Sequence, residues 1–116
     1  MLLTAAVLFA IAAVGGVTMA VIHFRGTNPP VPLAVVHGLF AAAALVVLII
    51  GLLGAGTATL GWIALALFLI AALGGFYMFA THLRAKRLPS PVVVIHGLAA
   101  GVAFVLLLVL LYAPGA

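Results

Sequence analysis

The chain contains no aspartate, no glutamate and no cysteine. Without carboxylates it cannot carry paired-acid catalysis, a hard-cation site or a carboxylate proton relay. No acid is present to orient a histidine in a triad, so no hydrolytic or transfer centre is seen. Without cysteine there are no disulfides, iron–sulfur clusters or thiolate metal sites. Charge is scarce: four cations give a net +4, and charged residues make up 3% of the chain. That charge is too small and too local for a nucleic-acid partner. What remains is apolar, 70% of 116 residues. A water-soluble domain of this size could not cover its surface with so few polar groups. The sequence therefore reads as an integral membrane protein. Its N-terminus has no positive stretch and its first apolar run is long enough to span, so no cleavable signal peptide is expected.

Four apolar stretches reach the roughly 20 residues that a spanning helix needs. They are Leu2–Phe24, Pro32–Leu53, Leu60–Leu83 and Pro91–Tyr112. Their length and lack of alternation exclude strands. Thr27-Asn28-Pro29-Pro30, Gly54-Ala55-Gly56-Thr57-Ala58-Thr59 and Leu88-Pro89-Ser90-Pro91 have the chemistry of breaks. Pro32 and Pro91 suit the first turn of a helix, where no amide donor is lost.

A segment occurs twice, at a constant offset of 59 residues. Gly15–Leu39 reads GGVTMAVIHFRGTNPPVPLAVVHGL, and Gly74–Leu98 reads GGFYMFATHLRAKRLPSPVVVIHGL. The copies share the Gly pair, Met19/Met78, His23/His82, Arg25/Arg84, Pro30/Pro89, Pro32/Pro91, Val35/Val94 and His37-Gly38-Leu39 with His96-Gly97-Leu98. All four histidines and all four cations lie inside them. Such a repeat points to a duplicated structural unit. Arg25 lies in one hairpin loop and Arg84, Lys86 and Arg87 in the other. Two spans separate these loops, so both face one side, the cytoplasm by the positive-inside rule. Both termini then face outward, as in a multi-pass protein of a bacterial-type inner membrane. The expected fold is all-α: one transmembrane domain, 1–116, forming a four-helix bundle. It would be built from two tandem hairpin repeats, 1–53 and 60–112, in parallel orientation. Small residues such as Gly15, Gly16, Ala12 and Ala13 would let its helices approach closely.

Ionisable groups within spans are candidate functional groups. His23 lies two residues before Arg25, and His37 five residues after Pro32. With their mates His82 and His96, they are expected to form one layer near the cytoplasmic face. Helical spacing places Met19 and Gly16 on the His23 face, and Met78 and Gly75 on the His82 face. Ala41 and Ala44 follow His37; Ala100 and Ala103 follow His96. Each histidine thus tops a column of small or flexible residues, which suits a planar macrocycle against the helix. Haem b fits such a slot, with neutral imidazoles as axial ligands. Arg25 and Arg84 stand where haem propionates would emerge.

With four spans, one histidine in each, and the signatures His23-Phe24-Arg25, His82-Leu83-Arg84 and His-Gly-Leu, the chain resembles small membrane cytochromes of the b type. These include cytochrome b561-like proteins and four-helix bacterial relatives that exchange electrons with quinone or superoxide. The resemblance is architectural and covers the whole chain. It implies bis-histidine haem b, one or two per chain, and electron transfer with quinone, with a redox partner protein or as a small respiratory subunit. The chain departs from trans-membrane di-haem proteins, whose haems lie near opposite faces, because its histidines all lie toward one face.

Several pairings satisfy the sequence. Pairing across hairpins, His23 with His96 and His37 with His82, gives two equivalent sites and is the preferred expectation. A single haem on His37 and His96 is the alternative, leaving His23 and His82 for propionates or a quinone. Two other readings compete: a histidine cluster holding Zn, Cu or Ni directly, and an accessory subunit whose His and Arg contact lipid headgroups or a quinone. Oligomers are compatible with each reading.

Overall fold

The computed structural model describes residues 1–56 and 59–113. Thr57 and Ala58 of the expected second break, and residues 114–116, lie outside the described residues. Four α-helices follow one another: α1 Leu2–Phe24, α2 Val31–Ala55, α3 Thr59–Leu83 and α4 Ser90–Tyr112. The α1 bounds match the sequence reading. The others start one residue earlier, and α2 runs two residues further. At the two starts this follows from proline: Pro32 and Pro91 occupy the second helical position, so Val31 and Ser90 open the helices. Pro30 and Pro89, both extended, precede them. Proline lacks only an amide that the first turn would leave unpaired. All four helices are long and apolar enough to cross a membrane.

Helices α1 and α3 stop in the same way. Gly26 and Ala85, 59 residues apart, take positive φ angles of 110° and 55°. The next amides turn back, Thr27 N to Ile22 O and Lys86 N to Thr81 O. This reversal satisfies carbonyls that the helix end would otherwise leave unpaired.

Each helix packs most extensively on its hairpin partner, α1 on α2 and α3 on α4; α1–α4 and α2–α3 contacts close the bundle. The bundle measures 44 × 20 × 19 Å. Its core is drawn from residues 59 apart: Ala5 and Ala64, Ala6 and Leu65, Phe9 and Phe68, Ala12 and Ala71, Ala44 and Ala103, Leu48 and Leu107 are all buried. Phe9 and Phe68 stack face to face across the bundle, centroids 3.7 Å apart and planes within 1°. The outer surface is apolar as well. Val14, Val17, Leu73, Phe76, Leu98 and Val105 are exposed.

The two loops are tied together at one end. Asn28 donates from Nδ2 to Lys86 O at 2.7 Å and accepts the Leu88 amide on Oδ1 at 3.2 Å. Arg87 donates to His23 O at 2.7 Å, near the C-terminal end of α1. The two basic loops therefore share a side, as the span count requires.

Candidate functional site: paired histidines in the bundle

The four histidines occupy two levels rather than one. His37 lies against Gly15 and Gly16 of α1, seven residues and roughly 10 Å along the helix from His23. His96 lies in the same way against Gly74 and Gly75 of α3. His23, by contrast, meets Ser90, the first residue of α4. The expectation of one layer counted depth from the prolines but ignored where the partner helix begins.

At the deeper level, His37 and His96 come together from α2 and α4. Their ring centroids are 6.1 Å apart and their planes cross at 73°. Both are partly buried. Each is fixed by one short bond: His37 Nδ1 to Ala12 O and His96 Nδ1 to Ala71 O, both 2.7 Å. A carbonyl can only accept, so both Nδ1 atoms carry the proton. In the neutral ring Nε2 is then a bare lone pair, the state in which imidazole binds a metal. A donor bond from the other nitrogen is the usual way a ligating histidine is oriented.

The glycine pairs have a different role from the one expected. A Cβ at Gly16 would lie 3.1 Å from His37 Cε1, and one at Gly75 would lie 3.3 Å from His96 Cε1. Gly16 and Gly75 therefore seat the imidazole of their own hairpin partner, not a slot beneath His23 or His82. Met19 and Met78, one turn nearer the loops, are partly buried.

At the loop-side level His23 is 2% exposed and His82 8% exposed. His23 Nε2 lies 2.9 Å from Ser90 Oγ, while its Nδ1 is buried with no hydrogen-bond partner among the described residues. A buried polar atom left unpaired costs about 1–3 kcal/mol. The two copies diverge here: Val31 stands where the second copy has Ser90, and Asn28 where it has Arg87. Of the histidine pairs, only His37 and His96 are in ring contact among the described residues. Neither cross-hairpin pair, His23–His96 or His37–His82, makes a ring contact among the described residues.

Arg25, Arg84 and Arg87 are all exposed. The basic residue that bonds back to a buried histidine is Arg87, through the His23 carbonyl. Sequence reasoning passed over Arg87 and Ser90 because it weighted what the copies share. The signal that marks them is the opposite one, a break in the repeat. No group of three or more His, Cys, Asp or Glu arranged to hold a metal ion occurs among the described residues. No protein-family model matches the chain, and neither a curated protein nor a solved structure matches it.

Proposed function

We propose that this chain is a multi-pass membrane protein that binds one haem b between His37 and His96 and transfers single electrons. The observation that carries the reading is the His37–His96 pair. A group held between two imidazoles would need both rings within its reach. The observed separation is 6.1 Å. Both Nε2 atoms are free to ligate because both Nδ1 atoms are committed to carbonyls.

The donor count favours a macrocycle over a bare ion. Zinc in protein sites takes about four donors, and this pair supplies two. A porphyrin brings its own four nitrogens and needs only two axial ligands. The unpaired His23 Nδ1 also fits. It lies about 10 Å toward the loops from the ligand pair, where a carboxylate side chain of the cofactor would satisfy it. Arg87 stands beside that position, bonded to the His23 carbonyl. When bound, haem supplies a one-electron couple. The protein's own part is to hold two imidazoles in one tautomer, exclude water with an apolar bundle, and place a cation at the loop side.

The membrane reading rests on four apolar helices with an apolar outer face. On it, the chain is two hairpin repeats in parallel orientation, both basic loops cytoplasmic and both termini outside. Quinone or a redox protein is the expected electron partner. Protein expressed with ample haem and purified in detergent tests the reading. A pyridine haemochrome assay should give one haem per chain, with a low-spin spectrum that carbon monoxide leaves largely unchanged. Haem-free protein carrying stoichiometric Zn or Cu by elemental analysis would overturn it.

A further inference from the structure

A cleft of about 410 Å³ opens at the loop end of the second hairpin. Tyr77, Ala80, Thr81, Arg84, Lys86, Arg87 and Pro89 line it. Three of the four cations in the chain therefore converge on one cavity, and the sequence has no acid to neutralise them. The cavity has a second, apolar wall in Ala80, Pro89 and the Tyr77 ring. The local backbone builds this arrangement. Ala85 adopts a left-handed conformation, φ 55°, which alanine reaches only at a cost. That turn folds Lys86 back so that its amide bonds Thr81 O at 3.2 Å. Lys86 is thereby brought over the end of α3, beside Arg84.

The first hairpin has the same turn but not the same cavity lining. The residues corresponding to Tyr77, Thr81, Lys86 and Arg87 are Thr18, Ile22, Thr27 and Asn28. Only Arg25 and Pro30 match, opposite Arg84 and Pro89. The cation cluster thus belongs to the second copy alone, and positive-inside topology does not require it. A single arginine serves the first loop.

We infer that this cleft is a binding site for a phosphate-ester anion. The guanidinium and ammonium donors match phosphate oxygens, and the apolar wall accommodates the ester's organic side. The anion would be either the headgroup of an acidic phospholipid, taken from the adjoining leaflet, or a free phosphate. The cleft shares Arg87 with the haem reading, but neither its lining nor its test requires bound haem.

Titration of delipidated, detergent-purified protein by native mass spectrometry and calorimetry tests this. The probes are short-chain phosphatidylglycerol, phosphatidylcholine of equal chain length, and inorganic phosphate. Wild-type protein should take up one phosphatidylglycerol or one phosphate saturably, and phosphatidylcholine more weakly. Lys86→Thr, which installs the first-loop residue, should weaken binding about fivefold, as should Arg84→Gln, by the usual worth of one cation near an anionic headgroup. Arg25→Gln removes equal charge from the other loop and should weaken it less than about twofold. Saturation by phosphatidylglycerol alone identifies a lipid site, and saturation by inorganic phosphate identifies a soluble anion; both support the cleft. No saturable uptake of either probe, or an Arg25→Gln loss equal to that of Lys86→Thr, overturns it.

Discussion

His37 and His96, 59 residues apart in the chain, face each other across the bundle with ring centroids 6.1 Å apart. Neither ring is free to turn. Each is pinned through Nδ1 to a carbonyl of the helix before it, Ala12 or Ala71. The pair is thus held in one tautomer and at one separation before anything binds. That preorganisation is what an axial ligand pair requires.

The first prediction separates this pair from the cross-hairpin alternative. His37→Ala and His96→Ala should each reduce bound haem by roughly tenfold or more, the upper side of losses from disturbed ligand shells. His23→Ala and His82→Ala should lower it less, because those rings do not meet another histidine. Haem content per chain after identical expression reads the outcome. Equal losses at His23 and His96, sparing neither, would restore the cross-hairpin pairing.

Much of the fold was legible in the sequence. Long apolar runs, proline at the second helical position of α2 and α4, and the missing acids pointed to four helices and to their ends within two residues. The core pairing, Phe9 on Phe68 among others, follows the same 59-residue offset but lies outside the repeat windows read in the sequence, so it was not anticipated. The histidine levels were not legible. Depth along a helix is set by where its neighbour begins, and that depends on loop geometry at Gly26 and Ala85. The seat of His37 on Gly16 was also hidden. Helical spacing shows that Met19, Gly16 and His23 share a face, but not what presses on that face. Ser90 and Arg87 were passed over because repeat arguments favour identity, whereas these residues act where the copies differ.

A second prediction concerns the glycine seats. Gly16→Ala places a methyl 3.1 Å from His37 Cε1, so the ring must shift and its bond to Ala12 O must stretch. Overpacking of this kind typically costs about 1–3 kcal/mol, against a helix-propensity gain of about 1 kcal/mol. Gly38→Ala meets nothing within 4 Å and should keep the whole gain. Thermal unfolding in detergent should rank Gly38→Ala at or above wild type and Gly16→Ala below Gly38→Ala. Gly16→Ala should also lose haem. Equal melting points and equal haem content for the two variants would show that the seat is not tight.

A third prediction tests the lock between the loops. Asn28→Ala removes a donor bond to Lys86 O and an acceptor for the Leu88 amide. Losing one exposed and one partly buried bond should destabilise by about 1–2 kcal/mol. Because the same contact puts both loops on one side, cysteines introduced at Thr27 and Lys86 should label from the same face of the membrane. On the orientation proposed, that face is the cytoplasm. Labelling of the two positions from opposite faces would contradict the lock and the topology together.

The last prediction concerns the cation beside His23. Oxidised haem iron carries one more positive charge than reduced iron, so a nearby cation favours the reduced form. Arg25, Arg84 and Arg87 are all exposed, but Arg87 is anchored by its bond to the carbonyl of the buried His23. Arg87→Gln should therefore lower the midpoint potential by on the order of tens of millivolts at low salt, the effect of one anchored but screened charge about 10 Å away. Arg25→Gln should shift it less, and added salt should shrink both shifts. Redox titration of the three proteins, followed at the α band, reads these shifts directly. A larger shift for Arg25→Gln would move the cofactor's charged side chains toward the first loop. No shift for either variant would place the haem beyond the reach of both.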